Sequence, residues 1–73
     1  MKLNLKEMHY IITVAMFGNI SKAAEHLFVA QPSLSRCIHR IEKDLGTPLF
    51  KRTSEGLKLT YAGELFIEKA ESI

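Results

Sequence analysis

Between Val29 and Gly46 the chain reads VAQPSLSRCIHRIEKDLG, and this stretch gathers most of the side chains able to do chemistry. Cys37 and His39 invite metal binding or nucleophilic catalysis. Residues two apart on a helix, however, point about 200° from each other and cannot share one ion. No acid, base and nucleophile set stands out anywhere in the chain, so no catalytic residue, metal or cofactor is expected. Cys37 is expected to flank a core stripe, and His9 and His26 to lie at the surface. What remains is a set of short hydrogen-bonding groups, Gln31, Ser33 and Ser35, beside the cationic Arg36, His39, Arg40 and Lys43. That set suits adhesion to an anionic, hydrogen-bonding surface.

A helix over residues 31–45 positions these groups. Leu34, Ile38, Ile41 and Leu45 form one apolar stripe at helical spacing, and Gly46 follows as C-cap. At about 100° per residue, the opposite side presents Pro32, Arg36, His39 and Lys43, flanked by Ser33, Ser35 and Arg40. It holds cations and no acid. Proline is tolerated in a first turn, whose amides have no carbonyl to bond within the helix, and that end carries the positive dipole. Duplex DNA matches such a helix end, because its major groove admits a helix whose first residues reach base edges while Arg and Lys neutralise phosphates. Gln31 can bond a base edge, and Arg36 can make either a bidentate guanine contact or a phosphate contact. Capping alone also explains Ser, Gln and Pro at a helix start, and polar solvent faces are ordinary. The order of elements favours the DNA reading.

Those elements begin with an amphipathic helix in which Leu5, Met8, Ile12 and Ala15 recur at three- and four-residue steps, Ile11 beside them, ended by Gly18 and Asn19. Ser21 is expected to cap a short second helix burying Ala23, Ala24 and Leu27. Phe28 to Ala30 then makes a tight helix-turn-helix corner. After the basic-faced helix, PLFKRTSEGLKLT reads as a hairpin turning at Ser54, Glu55 and Gly56. Thr60 can cap a last helix whose stripe is Ala62, Leu65, Phe66, Ala70 and Ile73. That stripe can cover the domain's own core or form a seam between two subunits. The seam is favoured, because a small core gains from a partner.

A chain of 73 residues holds one domain, and its 47% apolar and 25% charged residues are those of a folding sequence. No apolar run approaches the roughly 18 to 20 residues of a membrane span. A single cysteine cannot form an internal disulfide, so a reducing cytoplasm is the expected compartment. The net charge of +2 hides an asymmetry: residues 31–58 are net +3 and residues 59–73 net −2.

With SKAAEHLFVAQPSLSRCIHRIEKDLGTPLFKR and LKLTYAG both read, the chain resembles, over essentially its whole length, the N-terminal DNA-binding domain of the LysR-type transcriptional regulators. The shared motifs are A-A-x-x-L, Q-P-x-L-S-x-x-I, a Leu-Gly pair, L-F-x-R and L-T-x-A-G. The resemblance implies a mainly α, winged helix-turn-helix fold: a three-helix core, a short β-hairpin wing and the start of a linker helix. It implies a DNA-binding domain over residues 1–59, a linker or dimerisation helix from 60 to 73, and a separate effector-binding domain that this chain lacks. It also implies that Gln31, Pro32, Ser33, Ser35 and Arg36 touch bases, with Arg52 as the wing arginine near the backbone and minor groove. Ser21, His39, Arg40, Lys43, Lys51 and Lys58 complete the expected backbone or wing contacts, and Ala62, Leu65, Phe66, Ala70 and Ile73 the expected dimer contacts.

Two departures from the family pattern bear on the site. Ala30 stands where many members have Ser or Thr, removing a side-chain cap worth roughly 0.5 to 2 kcal/mol. Glu55 places an acid at a wing tip that is often basic, leaving Arg52 and Lys58 as the wing's basic residues. The expected function is transcriptional regulation by a homodimer on partly palindromic double-stranded DNA, with no membrane partner. Any small-molecule effector is expected to act only through the missing domain. A rival use of the same basic helix is adhesion to an acidic protein partner.

Overall fold

Helix α1 (Leu5–Phe17) opens with a reciprocal cap: the Asn4 side chain accepts the Glu7 N–H at 2.7 Å, and the Glu7 carboxylate reaches back to the Asn4 N–H. It closes at Gly18, whose φ of 62° lets its N–H return to the Val14 carbonyl at 2.8 Å. The computed structural model describes the backbone of residues 4–71 and the side chains of residues 4–69. The core face of α1 differs from the expected stripe. Ile11 and Val14 are fully buried, whereas Leu5 is 73% exposed. Apolar residues lie around most of this helix, so periodicity alone selects no face; packing against its neighbours does.

Helix α2 (Ile20–Leu27) corrects a second expectation. Its N-cap is Asn19, which accepts the Lys22 N–H at 2.9 Å, and Ser21 lies inside the first turn. Gly18 ends α1 in a left-handed conformation, Asn19 is already extended, and the next helix restarts earlier than a Ser21 cap would allow. Ala23 and Ala24 are buried, and their small size lets α2 lie close to α3 (Gln31–Leu45). The corner between them turns on Phe28 at φ 57°, with the Val29 N–H donating to the Ala24 carbonyl at 3.0 Å.

The bounds of α3 match those expected, including Pro32 in the first turn, Ala30 without a side-chain cap, and Gly46 closing the helix at φ 76°. Leu34, Ile38 and Ile41 are buried with Ile11, Val14, Ala23, Ala24 and Leu49 in one core. Leu45, the last member of the stripe, is 40% exposed because it extends past that core.

Strands β1 (Phe50–Thr53) and β2 (Gly56–Leu59) pair antiparallel, Phe50 opposite Leu59 and Lys51 opposite Lys58. The turn itself is Ser54 and Glu55 alone; Gly56, expected in the turn, is the first residue of β2. Its φ of 108° and the 2.7 Å that would separate a Cβ here from the Gly18 carbonyl oxygen both demand glycine. That same carbonyl accepts the Leu57 N–H at 2.9 Å, tying the hairpin to the α1–α2 junction.

Helix α4 (Tyr61–Glu71) begins as expected at Thr60, whose hydroxyl accepts the Gly63 N–H at 3.0 Å and donates to the Pro48 carbonyl at 2.7 Å. A Cβ on the buried Gly63 would strike the Leu49 carbonyl oxygen and lie 2.9 Å from the Leu59 side chain. Of the stripe proposed for α4, Phe66 packs on the domain's own core, together with Ile67, which that stripe omitted. Leu65 stays 40% exposed and Ala62 half-buried, while the Ala70 side chain and Ile73 lie outside the described residues. Three core helices, a hairpin wing and a fourth helix make a mainly α, winged helix-turn-helix.

Candidate nucleic-acid interface

The first turn of α2, the front of α3 and the wing enclose an open cleft of about 450 Å³. It brings together five of the residues singled out from the sequence: Ser21 from α2, Gln31, Ser35 and His39 from α3, and Arg52 from β1. In the chain they span 32 positions; in the fold they line one concavity. Pro32, Ser33, Arg36 and Lys43 are exposed on α3 outside it. Arg36 and Arg52 make no ion pair among the described residues, so their guanidinium groups are available to an external anion.

Arg40 is placed differently. It turns onto α1, where it pairs with Glu7, and its other nitrogen lies 3.9 Å from Asp44 one turn along α3. Lys51 and Lys58 also stand apart from the cleft, directly opposite each other on the exposed face of the hairpin. Two like charges facing across a ladder repel, and an anion shared between them would relieve that repulsion.

Two further residues shape the cleft. Asn19, which lines it, fixes the start of α2. Glu42 is one of two acids on α3, yet it is not a solvated charge: its Oε2 accepts the Leu49 N–H at 2.7 Å and the Phe50 N–H at 3.3 Å. The wing is thereby anchored to the same helix that carries Gln31, Ser35 and His39. A sequence signal did exist, since Thr47 and Pro48 mark a corner that returns the next amides towards α3.

Cys37 and His39 do not converge: the cysteine is half-buried against the core, and the histidine is exposed in the cleft. Burial pushes the Cys37 thiol up and so opposes formation of a reactive thiolate, an effect that the nearby Lys6 partly offsets. Among the described residues no group of three or more His, Cys, Asp and Glu could hold a metal, and no helix is long and apolar enough to cross a membrane.

Residues 5–64 match the model of the family described as bacterial regulatory helix-turn-helix protein, lysR family. The chain belongs to the LysR family. Among LysR-family relatives it is 42% identical over 71 residues to the HTH-type transcriptional regulator ClcR of Pseudomonas putida, covering 97% of this chain and 24% of that protein. To the HTH-type transcriptional regulator BudR of Klebsiella aerogenes it is 43% identical over 68 residues, covering 93% of this chain and 48% of the relative. The chain thus spans less than half the length of these curated relatives. Among solved structures, a complex of the CbnR DNA-binding domain with DNA superposes with a TM-score of 0.86 at 38% identity, covering 96% of this chain and 80% of the other. A complex of the BenM DNA-binding domain with benA site 1 DNA gives a TM-score of 0.88 at 36% identity, covering 96% and 81%. The fold of this LysR-family chain is therefore shared with domains captured on DNA.

Proposed function

We propose that the chain is a sequence-specific double-stranded DNA-binding domain that regulates transcription. The observation that carries this reading is the cleft in which Gln31, Ser35 and His39 of α3 meet Arg52 of the wing, with the uncompensated Arg36 beside it. Helix α3 enters the major groove by its first turns, where Gln31, Pro32, Ser33, Ser35 and Arg36 meet base edges. Arg52, His39 and Lys43 hold flanking phosphates, with Lys51 and Lys58 on the outer wing. The complexes of CbnR and BenM domains with DNA support this placement by analogy of fold. The relatives' names as transcriptional regulators support a non-enzymatic role.

The functional unit in this reading is a symmetric homodimer paired through α4, whose Leu65 is 40% exposed and whose Tyr61 is 77% exposed. Any response to a small-molecule effector belongs to the remainder of a longer protein. Selection from a random duplex library by the purified chain, followed by salt titration of the winners, tests the reading. An enriched two-fold symmetric motif with affinity falling steeply in salt is expected. Weak binding with no motif, alongside capture of acidic peptides, would transfer the basic helix to a protein partner.

A further inference from the structure

The hydroxyl of Ser21 donates to the carboxamide oxygen of Gln31 at 2.9 Å, across the corner between α2 and α3. Three features of the fold make that bond possible. Asn19 caps α2, so the Ser21 hydroxyl is released from capping. The buried Ala23 and Ala24 bring the two helices close. Ala30 offers α3 no side-chain cap, so the Ser21 bond is the side-chain tie at this end of α3 among the described residues.

A carboxamide has two faces to offer, an oxygen that accepts and a nitrogen that donates twice. Gln31 lines the open cleft, and with its oxygen held by Ser21 its NH₂ group makes no hydrogen bond among the described residues. We infer that Ser21 is a specificity-determining positioning residue: it holds Gln31 as a hydrogen-bond donor, so that Gln31 selects base edges bearing acceptors. This rests on the proposed DNA-reading function. In the major groove the acceptors are purine N7, guanine O6 and thymine O4, whereas cytosine offers only its amino donor. Gln31 therefore discriminates against cytosine at the base it reaches. Removing the hydroxyl frees the carboxamide to rotate and to accept from cytosine or from the adenine amino group.

The test compares the full chain with Ser21→Ala, Ser21→Thr and Gln31→Ala in random-duplex selection, with affinities then measured on the wild-type motif and its single-base variants. Ser21→Ala is expected to reduce discrimination against cytosine at one position per half-site by about three- to tenfold, the effect of one net hydrogen bond. The salt slope should not change. Ser21→Thr, which keeps the hydroxyl, should restore the wild-type preference. Adding Ser21→Ala to Gln31→Ala should change the preference no further. In the DNA-free protein, the Gln31 side-chain NH₂ resonances should move towards their random-coil positions in Ser21→Ala and not in Ser21→Thr.

Preferences that Ser21→Ala leaves unchanged, with affinity lowered evenly on every sequence, would overturn the inference and make Ser21 a phosphate contact. A wild-type chain that enriches no motif would overturn both this inference and the DNA-reading function beneath it. A motif enriched by the wild type and retained unaltered by Ser21→Ala overturns the inference alone.

Discussion

Helix α3 and the hairpin wing are both basic in sequence, but they hold their charges in opposite ways. On α3, Arg40 is drawn onto Glu7 and Asp44, and the carboxylate of Glu42 is bound by the amides of Leu49 and Phe50. On the wing, Lys51 and Lys58 face each other across the ladder while Arg52 turns into the cleft without an intramolecular acid. The net +3 of residues 31–58 is therefore no measure of the charge an anion meets. Folding retires one α3 cation and exposes repulsion on the wing. The two regions also differ in anchorage: α3 stands on buried Leu34, Ile38 and Ile41, whereas the wing depends on Glu42, Thr60 and the close approach of Gly56 to Gly18.

That difference in anchorage is broken most severely at Leu34, which is 0% exposed. Leu34→Ala should destabilise the domain by about 2–5 kcal/mol, through lost burial and the cavity left behind. A urea titration checks it through a lower midpoint at unchanged slope. Glu42→Ala strips two amides of their acceptor and should cost about 1–3 kcal/mol. Its effect should concentrate on the wing, seen as faster hydrogen exchange at Leu49 and Phe50 than at Ile38. Equal acceleration at all three would mean that the carboxylate is not a local anchor.

The charges of the two regions carry smaller effects. Replacing Lys51 and Lys58 together by Ala should raise stability slightly, by about 0.2–1 kcal/mol as the repulsion across the ladder is lost. The same double variant should flatten the salt dependence of DNA affinity. Arg40→Ala should cost at most about 1 kcal/mol, since its side chain is half exposed and its ion pairs are screened. It should leave the salt slope unaltered. A slope lowered by about 1 in that variant would show that Arg40 leaves Glu7 to take a phosphate.

Much of this architecture is legible in the sequence, and the misreadings have physical causes. The bounds of α3 follow from its single apolar stripe and from Gly46, because one face and one left-handed stop admit few alternatives. Helix α1 carries apolar side chains on several faces, and only its tertiary partners choose Ile11 and Val14 over Leu5 and Met8. Asn19 and Ser21 are both good caps, two residues apart; the conformation of Gly18 decides between them. In α4 the stripe includes Phe66 but misses Ile67, since the core reaches that helix from one side along β2 and α1. The candidate site was legible as a list of polar and cationic types. Its internal bonds, Ser21 to Gln31 and Glu42 to the wing amides, link residues seven to ten apart through a folded corner, and no helical or strand periodicity encodes them.

In the proposed function α3 reads bases while the wing holds the backbone, and Arg36 and Arg52 separate the two roles most directly. Affinities of the wild type, Arg36→Ala and Arg52→Ala should be measured on the selected duplex and on its single-base variants across a range of salt. Arg36→Ala is expected to flatten the preference at one position per half-site, losing about 1–3 kcal/mol of discrimination there. Arg52→Ala should instead weaken every sequence alike and lower the salt slope by about 1. Equal, sequence-independent losses in both variants would contradict the division of labour and place Arg36 on the phosphates.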